Sequence, residues 1–198
     1  MGLPQAITEY TIEDIYALPD GQRAELIDGQ MYMMAAPSRT HQRICLALLR
    51  KIADYIDEKG GLCEVDIAPF AVFLNADDKT YVEPDISVIC DKSKLNDKGC
   101  NGAPDWIIEI VSTGSRQMDY YRKLFKYHMT GVREYWIVDE QKDCITVYNF
   151  ENEDIKGLNI NMDASDVNGD GRVNISDAVI LMKHLAGMSV NLGKAVNK

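Results

Sequence analysis

The sequence predicts an α/β protein in which helices flank one mixed β-sheet. Short apolar segments of strand length are bounded by turn residues, and two longer segments carry apolar residues at helical spacing. The two kinds of segment are mixed along the chain, which excludes a helical bundle and an all-β barrel. No apolar run approaches the roughly 18 residues that a membrane-spanning helix needs, so no membrane partner is expected.

The first third of the chain predicts a short helix, a hairpin and a long helix. Thr11 lies three residues before Asp14, a capping-box pattern that starts a helix. The turn Asp28-Gly29 between two short apolar runs predicts a β-hairpin. Ser38 can cap a long amphipathic helix to about Glu58, which Gly60-Gly61 ends.

The rest of the chain up to residue 150 predicts five strands and one helix. The strands are expected over Cys63–Leu74, Val82–Cys90, Trp106–Val111, Glu134–Val138 and Cys144–Tyr148. A helix from about Gln117 to Met129, ended by Gly131, separates the third strand from the fourth.

The chain of 198 residues is strongly acidic, with 31 Asp and Glu against 21 Lys and Arg and a formal net charge of −10. This charge argues against a broad surface that coats nucleic acid. It leaves open a local cationic groove along the basic stretch from Arg116 to Arg133. A solvated helix face explains that stretch equally well.

Cysteine usage and the N-terminus predict a location. The five cysteines are odd in number and contain no C-x-x-C pair, so we expect neither a disulfide framework nor a structural zinc site. The first residues have neither the basic nor the apolar region of a signal peptide. Together these features predict a reducing compartment and a cytoplasmic protein.

Composition changes near residue 150 and divides the chain. Residues 1–150 are expected to form one domain, and the polar segment 151–165 is expected to be a linker. Residues 166–187 follow a different pattern, described below, and residues 188–198 form a tail.

Two carboxylates interrupt strands that are otherwise apolar. Glu109 lies in the run Asp105–Val111, and Asp85 lies in the run Val82–Ile89. A buried carboxylate is unfavourable unless it is paired or binds a cation. Two such acids on neighbouring strands would repel each other without a cation between them, and Mg²⁺ accepts one or two carboxylates plus water and phosphate oxygens. The alternative is that each acid forms a salt bridge near a strand end.

Five segments in order resemble one protein family. They are Glu25–Gly29, Val82–Ile86, Ile108–Ser112, Asp119 with Lys123, and Gly131–Asp139. In this order they resemble the Uma2 family (DUF820) of restriction-endonuclease-like proteins, within the PD-(D/E)xK superfamily, over about residues 8–150. The resemblance implies a restriction-endonuclease-like fold, and metal-dependent hydrolysis of phosphodiester bonds in DNA with Mg²⁺ or Mn²⁺.

The resemblance also implies site residues. Asp85, Glu109 and the backbone carbonyl of Ile110 would be metal ligands, and Glu25 would hold a second metal or a bridging water. Lys123, one helical turn after Asp119, would replace the strand lysine, because Val111 occupies that position. The chain departs from the family in lacking a proline after this strand and in lacking the strands expected after Phe150. His41, near the start of the long helix, either faces a phosphate or is a surface residue.

A calcium-binding pattern follows the linker. Gly171 stands at the sixth position of a twelve-residue loop, where a sharp turn is required. The predicted ligands are the side chains of Asp166, Asn168, Asp170, Asn174 and Asp177 and the backbone carbonyl of Arg172. An apolar helix over Ala178–Ala186 completes a small EF-hand-like loop–helix unit.

Residues 166–187 resemble a single type I dockerin repeat, a module that binds cohesin partners outside the cell. This resemblance implies an alternative function, a non-enzymatic protein that docks to cohesin while its nuclease fold is degenerate. It also implies secretion, against the cytoplasmic location predicted above. Either function is compatible with a homodimer.

Overall fold

The structure is a computed structural model that describes residues 9–112, 114–142, 144–152 and 154–157. The predicted calcium loop and tail lie outside these residues. The chain divides into two compact units between Pro104 and Asp105, here called the N-terminal and C-terminal units.

The N-terminal unit contains helices α1 (Ile12–Tyr16) and α2 (Arg39–Glu58). Its strands are β1 (Ala24–Ile27), β2 (Gln30–Met33), β3 (Glu64–Ile67), β4 (Val72–Phe73), β5 (Ile86–Ile89), β6 (Leu95–Asn96) and β7 (Gly99–Asn101). Strands β1 and β2 form the predicted hairpin. Asp28 and Gly29 in its turn have φ of 50° and 75°, the positive values that a tight hairpin turn requires.

The predicted caps of both helices are present. The Asp14 carboxylate accepts a hydrogen bond from the Thr11 backbone N–H at 2.7 Å. The Ser38 hydroxyl accepts one from the His41 backbone N–H at 3.0 Å. Each cap satisfies a donor that has no partner within the helix.

Prolines shorten two of the predicted strands. The strand expected over Cys63–Leu74 divides into β3 and β4 around Pro69, and the strand expected over Val82–Cys90 begins only at Ile86, after Pro84. Proline has no backbone N–H to donate to a neighbouring strand, so pairing stops there. Strand β4 pairs in parallel with β7, which pairs antiparallel with β6.

A disulfide joins Cys63 to Cys90, which corrects the expectation that the cysteines form none. Strands β3 and β5 are antiparallel, with Glu64 opposite Ile89. The next pair outward is therefore Cys63 and Cys90, directly across from each other. Their 27-residue separation in sequence conceals this adjacency.

Up to residue 157, the described part of the C-terminal unit contains a mixed sheet and one helical segment. Its strands are β8 (Trp106–Ile110), β9 (Glu134–Asp139), β10 (Cys144–Asn149) and β11 (Asp154–Gly157). Strand β9 is parallel to β8 and antiparallel to β10, which is antiparallel to β11. The helical segment starts as a π-helix over Met118–Lys123 and continues as α3 (Leu124–Thr130). Gly131, with φ of 92°, ends it as predicted.

Strand β11 lies inside the segment that polarity predicts to be a linker, and it is a strand after Phe150 where none was expected. Its pairing with β10 is made by backbone groups, which any composition supplies. Polarity alone therefore conceals it. None of the helices in the described part of the chain has the length and apolar character needed to cross a membrane.

Candidate active site

Glu109 is the centre of a buried polar cluster in the C-terminal unit. It lies in β8 between two buried isoleucines, and only 4% of its surface is exposed. The Lys123 ammonium group donates a hydrogen bond to Glu109 Oε1 at 2.8 Å. The Tyr127 hydroxyl donates to the same oxygen, also at 2.8 Å. These two donors meet the requirement that a buried carboxylate be paired.

Asp119 is the second carboxylate of this cluster. It lies one helical turn before Lys123, and its Oδ1 is 3.8 Å from Lys123 Nζ. Asp119 and Lys123 are both buried, although each is a charged residue on a helix. Counted at their formal charges, the two acids and one base of the cluster sum to −1.

The negative charge of this cluster affects the pKa of a neighbouring tyrosine. Tyr135 is fully buried in β9, and its hydroxyl donates to the Asp119 backbone carbonyl at 3.1 Å. Burial first, and then the charges of Asp119 and Glu109, raise the pKa of Tyr135 well above its ordinary value. Tyr135 therefore stays protonated and acts as a donor.

The basic and acidic groups of this cluster lie on one side of the π-helix. Asp119 and Lys123 are buried, while Tyr121 and Arg122 between them are exposed. Single π-helical turns of this kind occur frequently at functional sites.

Asp85 lies in the N-terminal unit, just before β5. The His41 Nε2 atom is 3.1 Å from Asp85 Oδ2, and the two side chains are 13% and 18% exposed. The sequence left two interpretations of His41 open, contact with a phosphate or a surface position, and neither includes this carboxylate partner. Cys45 lies one turn further along α2 and also approaches Asp85. Burial, and secondly the charge of Asp85, raise the pKa of the Cys45 thiol to about 11.

Glu25 is buried in β1 of the same unit. Its Oε1 accepts the backbone N–H of Glu83 at 2.9 Å. The Glu83 side chain accepts hydrogen bonds from Arg23 and, at 2.6 Å, from the Tyr81 hydroxyl. The structure thus assigns Glu25 a structural contact, and its proposed metal or water role stays a prediction.

The oxygen atoms of Glu109 and Ile110 suit a hard cation such as Mg²⁺, which needs few ligands from the protein. Within the described ranges, no group of three or more His, Cys, Asp or Glu side chains is arranged to hold a metal ion. Mg²⁺ does not need such a group, because water and substrate phosphate complete its coordination. Glu109 supplies carboxylate oxygen inside a cluster of net negative charge. Ile110, whose carbonyl was predicted as a ligand, follows it directly as the last residue of β8.

Sequence reasoning missed Tyr127 and the pairing of His41 with Asp85. Tyr127 does carry a signal, since it follows Lys123 by four residues and Asp119 by eight, on one side of the helix. His41 carries none, because its partner lies 44 residues away in sequence.

Comparison with known proteins decides the family. The model of Uma2, described as "Putative restriction endonuclease", matches residues 12–171. The chain belongs to the Uma2 family. The matched range passes residue 150, includes β11, and reaches Gly171 within the predicted calcium loop.

Two curated relatives and one solved structure are similar to this Uma2 chain. The uncharacterised Synechocystis protein slr1290 is 27% identical over 146 residues, covering 73% of this chain and 75% of its own. The uncharacterised Synechocystis protein sll1609 is 25% identical over 122 residues, covering 60% and 67%. The crystal structure of a putative nuclease belonging to DUF820 from Anabaena variabilis aligns with a TM-score of 0.62 at 18% identity, covering 85% of this chain and 96% of that one. This likeness confirms the predicted mixed α/β fold.

Proposed function

We propose that this Uma2 protein is a metal-dependent endonuclease that hydrolyses phosphodiester bonds in DNA. Its family supports a nuclease-like function in general. The observation that carries the specific proposal is the buried contact between Glu109 and Lys123, at 2.8 Å. An acid and a base held together in a strand-and-helix core match the needs of phosphodiester cleavage, in which negative charge develops on the phosphate.

The residues of the C-terminal unit divide the chemistry between them. Glu109 and the Ile110 carbonyl would hold Mg²⁺ or Mn²⁺, and the bound cation would neutralise phosphate charge and acidify a water. Lys123 keeps its ammonium group at the Glu109 carboxylate, where it would orient the attacking water or bind a phosphate oxygen. Asp119 Oδ1 lies 3.8 Å from Lys123 Nζ and places a second carboxylate beside the ammonium group.

The role of Asp85 in this proposal rests on the sequence. An acid after Pro84 matches the family pattern, so Asp85 is proposed as the other ligand of the same cation. Within its own unit, the contact with His41 restrains the carboxylate before any cation binds. Glu25 is proposed, on the same sequence pattern, to hold a second metal or a bridging water.

The C-terminal loop carries a separate proposal from its ligand pattern. Oxygen side chains at alternating positions from Asp166 to Asp177, with Gly171 at the turn, are proposed to bind Ca²⁺. Docking to a cohesin through this loop is the alternative function that the pattern suggests.

Cleavage of supercoiled plasmid DNA tests the proposed function. The full chain should relax or linearise the plasmid with Mg²⁺ or Mn²⁺ and should leave it intact with EDTA. Asp85→Asn, which keeps the size of the side chain, should abolish cleavage without lowering the melting temperature. Equal cleavage with and without EDTA would contradict metal dependence, and no cleavage under any condition would favour the non-enzymatic alternative.

A further inference from the structure

Tyr127 contributes the second hydrogen bond to the candidate catalytic carboxylate. It lies in α3, four residues after Lys123, with no exposed surface. Its hydroxyl donates to Glu109 Oε1 at 2.8 Å. Its ring packs edge-on against Tyr135, with the ring centres 5.0 Å apart. This packing on one side and the helix on the other hold the hydroxyl in place.

We infer that Tyr127 is a positioning residue, which sets the plane of the Glu109 carboxylate so that it can bind the cation. This inference rests on the proposed function. One donor on Oε1 leaves the carboxylate able to swing about the contact. Donors from two consecutive helical turns, Lys123 and Tyr127, restrict that rotation, and fixing Oε1 also fixes the direction of Oε2.

The arrangement also divides two tasks between the two donors. Lys123 carries a charge, and its ammonium group can shift toward substrate when a phosphate arrives. Tyr127 is neutral, rigid and enclosed, so its bond to Glu109 can persist during such a shift. Hydrogen-bonding partners behind a metal ligand orient it in this manner, and their removal typically weakens metal binding by about 10–100-fold.

Tyr135 provides a matched control within the same unit. It is as fully buried as Tyr127 and is its direct ring neighbour. Its hydroxyl, however, donates to the Asp119 backbone carbonyl and not to a side-chain carboxylate. Replacing either tyrosine by phenylalanine removes one buried hydroxyl and leaves the ring packing. The replacement at Tyr127 removes a donor to Glu109, whereas the replacement at Tyr135 removes the donor to the Asp119 carbonyl.

Mn²⁺ binding to the full chain, followed by electron paramagnetic resonance of the free ion, tests the inference without requiring activity. The component of binding that Glu109→Gln eliminates identifies the site and separates it from any other Mn²⁺ bound by the chain. Tyr127→Phe should weaken this component by about tenfold, at the lower end of the range for such partners. Tyr135→Phe should change it by less than about twofold. Melting temperatures of both variants verify folding.

A second measurement is made on proteins in which Tyr127 is unchanged. Adding Mn²⁺ to the wild-type chain should perturb tyrosine absorption in the near ultraviolet, because the hydroxyl bonds to a metal ligand. Tyr135→Phe should retain this signal, and Glu109→Gln should lose it. Unchanged Mn²⁺ affinity in Tyr127→Phe would overturn the inference, as would equal weakening by both tyrosine variants. If the wild type shows no Glu109-dependent binding, the proposed metal site itself is wrong.

Discussion

At the scale of single residues, the buried lysine is the most informative feature of this protein. Lys123 contacts Glu109 and lies 3.8 Å from Asp119, and 5% or less of each of the three side chains is exposed. The ammonium group therefore serves both stability and the proposed chemistry. Removing it leaves two carboxylates close together in a medium of low dielectric, which breaks a buried ion pair and raises the free energy of the folded state.

We predict that Lys123→Ala lowers the rate of DNA cleavage by about a hundredfold or more, the effect of losing a preorganised positive donor at a developing charge. It should also destabilise the fold by about 3 kcal/mol, the scale for breaking a buried pair. Cleavage rates and urea denaturation measure the two effects. Lys142→Ala, at a largely exposed lysine of the same unit, is the control. Cleavage at the parental rate by folded Lys123→Ala would remove Lys123 from the site.

Asp139 gives the fold a defined pH dependence. This carboxylate at the end of β9 has no exposed surface. Burial alone would raise its pKa, but hydrogen bonds from Arg116 and Tyr120 outweigh burial and hold the pKa below its ordinary value. Because the pKa is lower in the folded chain, the stabilisation is complete above the unfolded pKa of about 3.9 and is lost as the pH falls through the folded value.

We therefore predict that Asp139→Asn destabilises the protein at pH 6. The difference in unfolding free energy between the parent and this variant should shrink as the pH is lowered below about 4. Guanidinium denaturation of both proteins at several pH values measures it. A difference that stays constant down to pH 3 would show that the Arg116 contact does not depress the pKa of Asp139.

The residue scale also shows what sequence alone can predict about the site. Glu109 and Asp85 are visible because each is an acid in an otherwise apolar run, and Lys123 is implied by the family resemblance. Tyr127 and His41 gain their significance from the atoms that they contact. Those contacts depend on how helix and strand, or helix and loop, are placed within each unit, which residue type and local spacing do not specify.

At the scale of elements, the disulfide between Cys63 and Cys90 closes the antiparallel pair β3 and β5. Strand β5 directly follows Asp85, so this pair supports one proposed ligand. A cross-link that closes a loop of 27 residues restricts the unfolded chain and contributes about 3 kcal/mol in the chain-entropy model.

We predict that Cys63→Ser lowers the free energy of unfolding by about that amount under oxidising conditions. Cys144→Ser, at a half-buried cysteine outside the disulfide, should change it by less than about 0.5 kcal/mol. Reducing agent should lower the stability of the parent to that of Cys63→Ser and leave the variant unaffected. Equal stability of parent and Cys63→Ser in oxidising buffer would show that the cross-link contributes nothing.

Elements were predicted best where local chemistry specifies them. The caps at Thr11 and Ser38 and the glycine stop at Gly131 are local, and the structure has all three. Strand β11 and the π-helix are not local in this sense. The first depends on backbone pairing with β10. The second is a widening of the helix over Met118–Lys123, for which the sequence offers no signal.

At the scale of the whole molecule, the C-terminal loop predicts a calcium response separate from catalysis. We expect Ca²⁺ to increase the helical signal in far-ultraviolet circular dichroism of the full chain, because the apolar helix that the sequence predicts after the loop would be too short to be stable alone. Asp170→Ala removes one predicted ligand and should abolish the increase. Mg²⁺ should not substitute, since it demands a smaller octahedral site. An equal increase in Asp170→Ala would show that the loop is not the calcium site.

The proposed function depends most directly on Glu109, and one comparison of cleavage rates tests it. Glu109→Gln should cleave plasmid DNA at least about a hundredfold more slowly than the parent at saturating Mg²⁺, because the carboxylate that holds the cation is lost. Asp139→Asn is the matched control, since Asp139 is also a buried acid of the C-terminal unit, bonded by a basic side chain and a tyrosine hydroxyl. At a temperature where both variants are folded, Asp139→Asn should cleave within about threefold of the parent. Cleavage by Glu109→Gln at the parental rate would contradict the account.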